Sequence, residues 1–102
     1  MLELRPACEN CNKPLPPDSL EAQICSYECT FCTHCVETVL DNVCPNCGGG
    51  FMPRPIRPAR NWKGDNYLGK DPAGTRARHR PVDAAAHRKF AAAIRTIPPA
   101  ER

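Results

Sequence analysis

Apolar and polar residues alternate in short runs over the first half of the chain, and each run predicts one small element. Met1 to Ala7 sets Leu2 and Leu4 between charged residues before Pro6, which predicts a short edge strand. Glu21 to Phe31 reads as a hairpin with Ile24 and Phe31 turned inward. From Thr33 to Leu40 the residues Val36, Val39 and Leu40 recur at helical spacing, and Asp41-Asn42 closes the segment. Phe51 and Met52, after Gly49-Gly50, predict a last strand. Beyond Pro53 the periodicity dissolves. Pro53 to Pro81 holds five of the twelve prolines, several arginines and few apolar residues, the composition of a flexible linker. A second periodic stretch then follows Asp83, a good N-cap, with Phe90, Ile94 and Ile97 on one face and His87 one turn earlier. At about 12 residues such a helix is marginal alone, so it is expected to form fully when docked on the module, on another copy or on a partner. The predicted organisation is a module over 1–57, a flexible Pro/Arg-rich linker over 58–81, a short amphipathic helix over 82–97 and a disordered end at 98–102.

The apolar inventory of the module is thin: Leu15, Ile24, Phe31, Val36, Val39, Leu40, Val43 and Phe51. A chain of about 50 residues buries too little surface to offset its conformational entropy without disulfides, metal or a partner. All eight cysteines fall within this part. The first residues, MLELRPACEN, lack the basic start and apolar run of a secretory signal, and nothing later approaches a membrane span in length. The expectation is therefore a cytoplasmic chain with reduced thiols that bind metal, and no membrane association.

The cysteines run Cys8-x2-Cys11-x13-Cys25-x3-Cys29-x2-Cys32-x2-Cys35-x8-Cys44-x2-Cys47. Every cysteine lies in a close pair and none is left over. Eight thiolates make two tetrahedral four-sulfur sites, a soft donor set that suits two Zn2+ ions. Cys8 to Lys13 and Cys44 to Gly48 read as knuckle turns, with Asn12 and Gly48 at positions suited to the left-handed conformation. Four pairs match into two sites in three ways. Cys32 and Cys35 stand at the start of the helix, where anionic sulfur is favoured. In a common zinc-binding arrangement such a pair closes on an N-terminal knuckle. That gives one site of Cys8, Cys11, Cys32 and Cys35 and a second of Cys25, Cys29, Cys44 and Cys47. The main competitor joins Cys25, Cys29, Cys32 and Cys35 in one local site.

Other chemistries fit less well. Cys25-x3-Cys29-x2-Cys32 matches a radical iron–sulfur motif, but those enzymes enclose the cluster in a large partial barrel, for which this chain has no room. Cys29-x2-Cys32-x2-Cys35 begins like a ferredoxin run, yet the next cysteine comes after eight residues rather than three. His34 is expected to point away from the metal, and His79 and His87 to be solvated. No cysteine is left free to act as a nucleophile, so no catalytic residue is assigned.

Charge is uneven. Residues 1–57 carry four basic and seven acidic side chains, net −3, whereas residues 58–102 carry ten basic and four acidic, net +6. Two four-thiolate zinc sites shift the module to about −7 and the chain to about −1. The basic tail nonetheless interleaves Arg54, Arg57, Arg60, Lys63 and Lys70 with Trp62 and Tyr67, a set able to neutralise phosphates and stack bases. Nucleic acid is thus an alternative partner to a protein, and a solvated linker is the simpler reading.

Phe31-Cys32-Thr-His-Cys35-Val36, then Val39-Leu40 and Cys44-Pro45-x-Cys47, resembles the second half of a RING domain. The stretch from MLELRP through CPNCGG to RPIRP more closely resembles a bacterial family of small cysteine-rich proteins of unknown function, a match of about 57 residues that includes all eight cysteines. The resemblance implies a small metal-stabilised α+β domain, a RING-like cross-brace of treble-clef type with one hairpin and one short helix, followed by a basic tail. It does not extend to ligase activity. A RING ligase usually has an apolar residue where Asn10 stands, often a tryptophan at Val39 and a basic residue at Gly48. The functional expectation is a non-enzymatic zinc-binding protein that serves as a protein-interaction or adaptor module, with ubiquitin-type transfer disfavoured.

Overall fold

The computed structural model describes residues 1–102, an α+β fold built on a three-stranded antiparallel sheet with strand order β2-β1-β3. The hairpin joins β1 (Ala22–Ile24) to β2 (Thr30–Cys32) in the register Ala22↔Cys32, Gln23↔Phe31 and Ile24↔Thr30. Strand β3 (Met52–Pro53) adds to the other edge of β1, with Ile24 opposite Met52. The strands are short because cysteines interrupt them. Cys25 opens the turn after β1, and Cys32 ends β2. In that turn Cys25 N–H donates to Cys29 O at 3.2 Å and Glu28 N–H to Cys25 O at 3.0 Å, with Glu28 in the left-handed region at φ 68°. Ala22 of β1 and all of β2 (Thr30, Phe31 and Cys32) are buried, so β2 is covered on both faces. Ile24, expected inward, is half-buried because it sits at the rim opposite exposed Met52.

Helix α1 (Thr33–Cys35) starts at Cys32 and continues as a π-helical segment over Val36–Leu40. The wide winding follows from how it ends. Asp41 and Asn42 both turn left-handed, at φ 51° and 56°, and both N–H groups bond back to Val36 O. Asparagine and aspartate tolerate that conformation, so the stop falls where the sequence puts it. Val36 and Leu40 face the core, which also holds Leu4, Leu15, Val43 and the edge-to-face pair Phe31–Phe51, 5.5 Å between centroids. Six of the twelve residues in the main core cluster are cysteines, so aliphatic and aromatic side chains make up only half of it.

No edge strand forms at the N-terminus. Pro6 has no N–H to give a ladder, and the segment makes a single bridge, Ala7↔Pro14, flanked by Cys8 N–H to Lys13 O and Leu15 N–H to Pro6 O. What lies along Leu2–Asn10 is the tail. Arg57 donates to Leu2 O at 2.7 Å, Gly74 N–H to Leu4 O at 2.9 Å, Arg80 N–H to Glu9 O at 2.7 Å and Val82 N–H to Asn10 Oδ1 at 2.8 Å. The stretch expected to be a flexible linker is therefore tied to the module at several points.

Helix α2 (Ala84–Ala91) is capped as expected, with Asp83 Oδ1 accepting from Ala85 and Ala86 N–H, and it docks on the π-helical segment. It is shorter than the expected 82–97 span and gives way to turns after Ala91. His87 is buried rather than solvated: its Nε2–H donates to Leu40 O at 2.9 Å, a second donor to a carbonyl that also accepts from Val43 N–H at 3.0 Å. Residues 98–102 are also fixed. Pro99–Glu101 forms a 3-10 turn, and the Arg102 guanidinium reaches Asn42 O at 2.7 Å and Gly48 O at 3.2 Å.

Two buried cations hold the N-terminal half. Arg5 pairs with Glu9 at 2.8 Å, and Glu9 also accepts from Thr30 N–H. Arg54 has no counter-ion. Its guanidinium, 4% exposed, donates to Arg5 O, Leu15 O and Pro16 O at 2.8–3.2 Å, and burial lowers its pKa. One side chain thus joins β3 to two separate loops. Arg54→Ala leaves Arg5 O and Leu15 O without donors, while Pro16 O keeps Ser19 N–H, and is expected to cost about 2–4 kcal/mol. Arg54→Lys keeps the charge but loses the planar fork, and should cost more than half as much. Denaturant midpoints of the metal-loaded protein measure both.

Candidate metal centre

Each knuckle is shaped by the residue that follows its second cysteine. Asn12 and Gly48 both sit in the left-handed region, at φ 63° and 76°. That bend turns backbone N–H groups onto sulfur. Asn46 N–H points at Cys44 Sγ (3.5 Å) and Gly49 N–H at Cys47 Sγ (3.4 Å). The hairpin turn does likewise with Tyr27 N–H on Cys25 Sγ at 3.3 Å. At the helix start, Cys32 Sγ is the N-cap acceptor of Cys35 N–H at 3.4 Å. N–H groups aimed at sulfur favour the thiolate over the thiol, the form that ligates metal.

The structure brings the sulfurs of Cys8, Cys11, Cys32 and Cys35 together, all within 4.8 Å of one another, with Cys11 and Cys32 3.7 Å apart. A second group gathers Cys25, Cys44 and Cys47 within the same limit. Cys29 falls outside that limit for at least one of the three, but its thiol interacts with those of Cys25 and Cys44 and accepts from Asn46 Nδ2 at 3.3 Å. The hairpin pair and the helix pair go to different knuckles, so the local grouping of Cys25, Cys29, Cys32 and Cys35 does not form. Each group leaves one cysteine exposed, Cys11 in one and Cys47 in the other. His34 is exposed and joins neither group.

Electrostatics show what such a cluster requires. Burial pushes the thiols of Cys32, Cys35, Cys29 and Cys44 up, and charge on neighbouring sulfurs pushes them further. For Cys11 burial also acts upward, but the Lys13 N–H and the adjacent thiols outweigh it and leave this exposed group below its ordinary value. Clustered thiolates in a protein interior need a cation among them, and sulfur-only donors at this separation fit a tetrahedral soft divalent ion. Two cysteine clusters positioned to hold metal are thus the chemical feature of this chain.

Sequence reasoning missed the asparagines. The residue before the second cysteine of each knuckle donates its amide to a sulfur of the pair across the cluster: Asn10 Nδ2 to Cys35 Sγ at 3.2 Å, and Asn46 Nδ2 to Cys29 Sγ at 3.3 Å. The signal was present as a repeated Cys-x-Asn-Cys, at 8–11 and 44–47. Asn10 does more, since its Oδ1 accepts from Val82 N–H and its carbonyl meets His79 Nε2 at 3.1 Å. Of the basic set read from the sequence, Arg54 is buried and Arg57 bonds Leu2 O and Asp71 O, whereas Arg60, Lys63 and Lys70 are exposed. Asn46→Ala removes a neutral hydrogen bond to sulfur, and a loss of about 10–100-fold in affinity for one ion per chain is expected. Competition with a chromophoric chelator reads it, and Asn10→Ala should weaken the other ion.

No helix of the chain is long and apolar enough to cross a membrane. No solved structure matches it. An uncharacterized protein of Rhizobium meliloti (strain 1021) is 55% identical over 75 residues, which cover 74% of this chain and 82% of that protein. Residues 1–57, a span that takes in every cysteine of both clusters and the Arg54 clamp, match the family described as protein of unknown function (DUF1272), and the chain belongs to that family.

Proposed function

We propose that this chain is a non-enzymatic zinc protein whose two ions are structural, and that it works as an adaptor offering a fixed surface to a partner protein. The observation that carries this reading is the interleaving of the thiol groups. Cys8 and Cys11 close on Cys32 and Cys35, while Cys25 lies between them in sequence and closes on Cys44 and Cys47. With Cys29 as the fourth ligand of the second ion, the frame is a RING-like cross-brace of treble-clef type. Four thiolates fill a tetrahedral shell and leave no position for water or substrate, so the metal has no catalytic role. A reducing compartment such as the cytoplasm keeps all eight thiols available.

The RING likeness is one of frame. Asn10, at the position where a ligase grips its conjugating enzyme, is engaged by Cys35 and Val82. Gly48, at the position of the usual basic residue, is covered by the tail, where any side chain would meet Ile94 and Phe90. Val39 is half-buried against the core. These placements support binding over ubiquitin transfer. The exposed apolar side chains Leu20, Tyr27, Met52 and Ile56 supply contact area for a protein partner.

Native mass spectrometry of the purified chain is expected to find two zinc ions. Apparent site energies of about 10–16 kcal/mol exceed what half a core can supply, so chelation should collapse circular dichroism and NMR dispersion together. A native spectrum after complete removal of metal would sink the structural role. Discharge of a loaded conjugating enzyme would instead restore the ligase reading.

A further inference from the structure

The tail carries more positive charge than the module uses. Of its ten cations only Arg78 and Arg95 pair with module carboxylates, Glu3 at 3.4 Å and Asp41 at 3.5 Å. Arg102 is bonded to carbonyls. Arg60, Lys63, Lys70, Arg76, Arg80, Arg88 and Lys89 are exposed, and none of their side chains has a hydrogen-bond or ion-pair partner. Complementarity to an acidic module therefore does not account for them.

Two of these groups are placed by built structure. Residues 58–71 form a closed loop. Leu68 N–H donates to Pro58 O at 2.9 Å, and the Arg57 guanidinium joins Asp71 O to Leu2 O. The tip of that loop is a tight turn. Asn61 and Asp65 bond each other twice, at 2.8 and 3.1 Å, across Gly64 and Asp65 in the left-handed region. The turn holds Trp62 outward, 75% exposed, between Arg60 and Lys63. A tryptophan this exposed on a hydrogen-bonded turn has no packing role in the chain. From Gly74, tied to Leu4 O, the next stretch runs to Arg80, tied to Glu9 O. Between those ties Arg76, Ala77, Arg78, His79 and Arg80 wall a hollow of about 460 Å3. Loop and hollow thus follow one another along the same N-terminal strip, Leu2 to Asn10.

We propose that this strip binds single-stranded nucleic acid, with Trp62 stacking on a base and Arg60, Lys63, Lys70, Arg76 and Arg80 neutralising phosphates. The partner must offer both a phosphate backbone and an unpaired base. An aromatic ring flanked by cations meets that demand for a single strand, whereas a duplex hides its base faces and a lipid surface has none. Fixing the strip beforehand lowers the ordering cost that a flexible tail would incur on binding. The proposal does not rest on the zinc being structural, only on the tail being docked.

The test uses the full metal-loaded chain with a short mixed-sequence RNA and its DNA counterpart, single-stranded and duplex, and with vesicles of anionic phospholipid. Trp62 is the one tryptophan, so its fluorescence reports stacking directly. Quenching by single strands is expected. With about four phosphates neutralised, affinity should fall roughly 50-fold between about 50 and 200 mM salt. Arg76→Ala with Arg80→Ala should lower the log–log salt slope by about 1.4, and Trp62→Ala should weaken binding by roughly tenfold or more. Neither arginine side chain is bonded within the fold, so metal content and circular dichroism of the double variant should match the parent. Should that variant lose metal, Arg60→Ala with Lys70→Ala gives the same slope test from the other end of the strip. No quenching by single strands, equal or tighter binding of duplex, an unchanged slope in both double variants, or binding to vesicles alone would overturn the proposal.

Discussion

Crowded sulfur is the constraint from which the rest of this small fold follows. Four thiols within 4.8 Å of one another cannot ionise together in a protein interior, because burial and mutual repulsion both oppose it, as the raised thiols of Cys32, Cys35, Cys29 and Cys44 display. A divalent cation reverses the sign of both effects and turns a costly cluster into a cross-link. Strands of three residues and a helix that starts on a cysteine make sense only as holders for such a link. Because the two groups interleave, opening either one releases the chain that frames the other.

The turns around the clusters repeat one solution. Each knuckle bends left-handed after its second cysteine, and each uses the asparagine before it to reach the opposite pair. A neutral amide donating to sulfur draws off charge without the desolvation cost of a lysine or arginine, which suits a position close to the metal. At Asn10 the same side chain receives Val82 N–H. The tail is thereby coupled to one cluster through a single residue, and to the other end of the module through Arg102 on Gly48 O.

What the sequence revealed was local. The knuckle bends at Asn12 and Gly48, the stop at Asp41-Asn42 and the cap at Asp83 all depend on residues within a few positions, and all four stand where the pattern places them. The cysteine spacing limited the groupings to three, and the helix start pointed to the one that brings Cys8 and Cys11 to Cys32 and Cys35. The path of the tail was not legible. It is held by backbone donors at Gly74, Arg80 and Val82, which carry no hydrophobic period and look in sequence like any proline-rich linker. Arg54 was hidden for a related reason. A guanidinium that bridges three carbonyls reads, in a run of arginines, like one more surface charge. His87 likewise revealed its role only once Leu40 O was found beneath it.

Opposite net charge on module and tail suggests electrostatic docking, but the contacts assign the attachment elsewhere. The two ion pairs that cross between them, Arg78–Glu3 and Arg95–Asp41, are long and solvent-exposed, and such pairs contribute roughly 0–1 kcal/mol each at ordinary salt. The hydrogen bonds at Leu4 O, Glu9 O and Asn10 Oδ1 are shorter and lie at buried or half-buried groups that would otherwise lack partners, and His87 adds a second donor to buried Leu40 O. The tail is thus fixed by polar satisfaction of the module's backbone, and its charge is left facing outward. A basic segment held by something other than its own charge keeps that charge unpaired on the surface, as the exposed Arg60, Lys63, Lys70, Arg76 and Arg80 show.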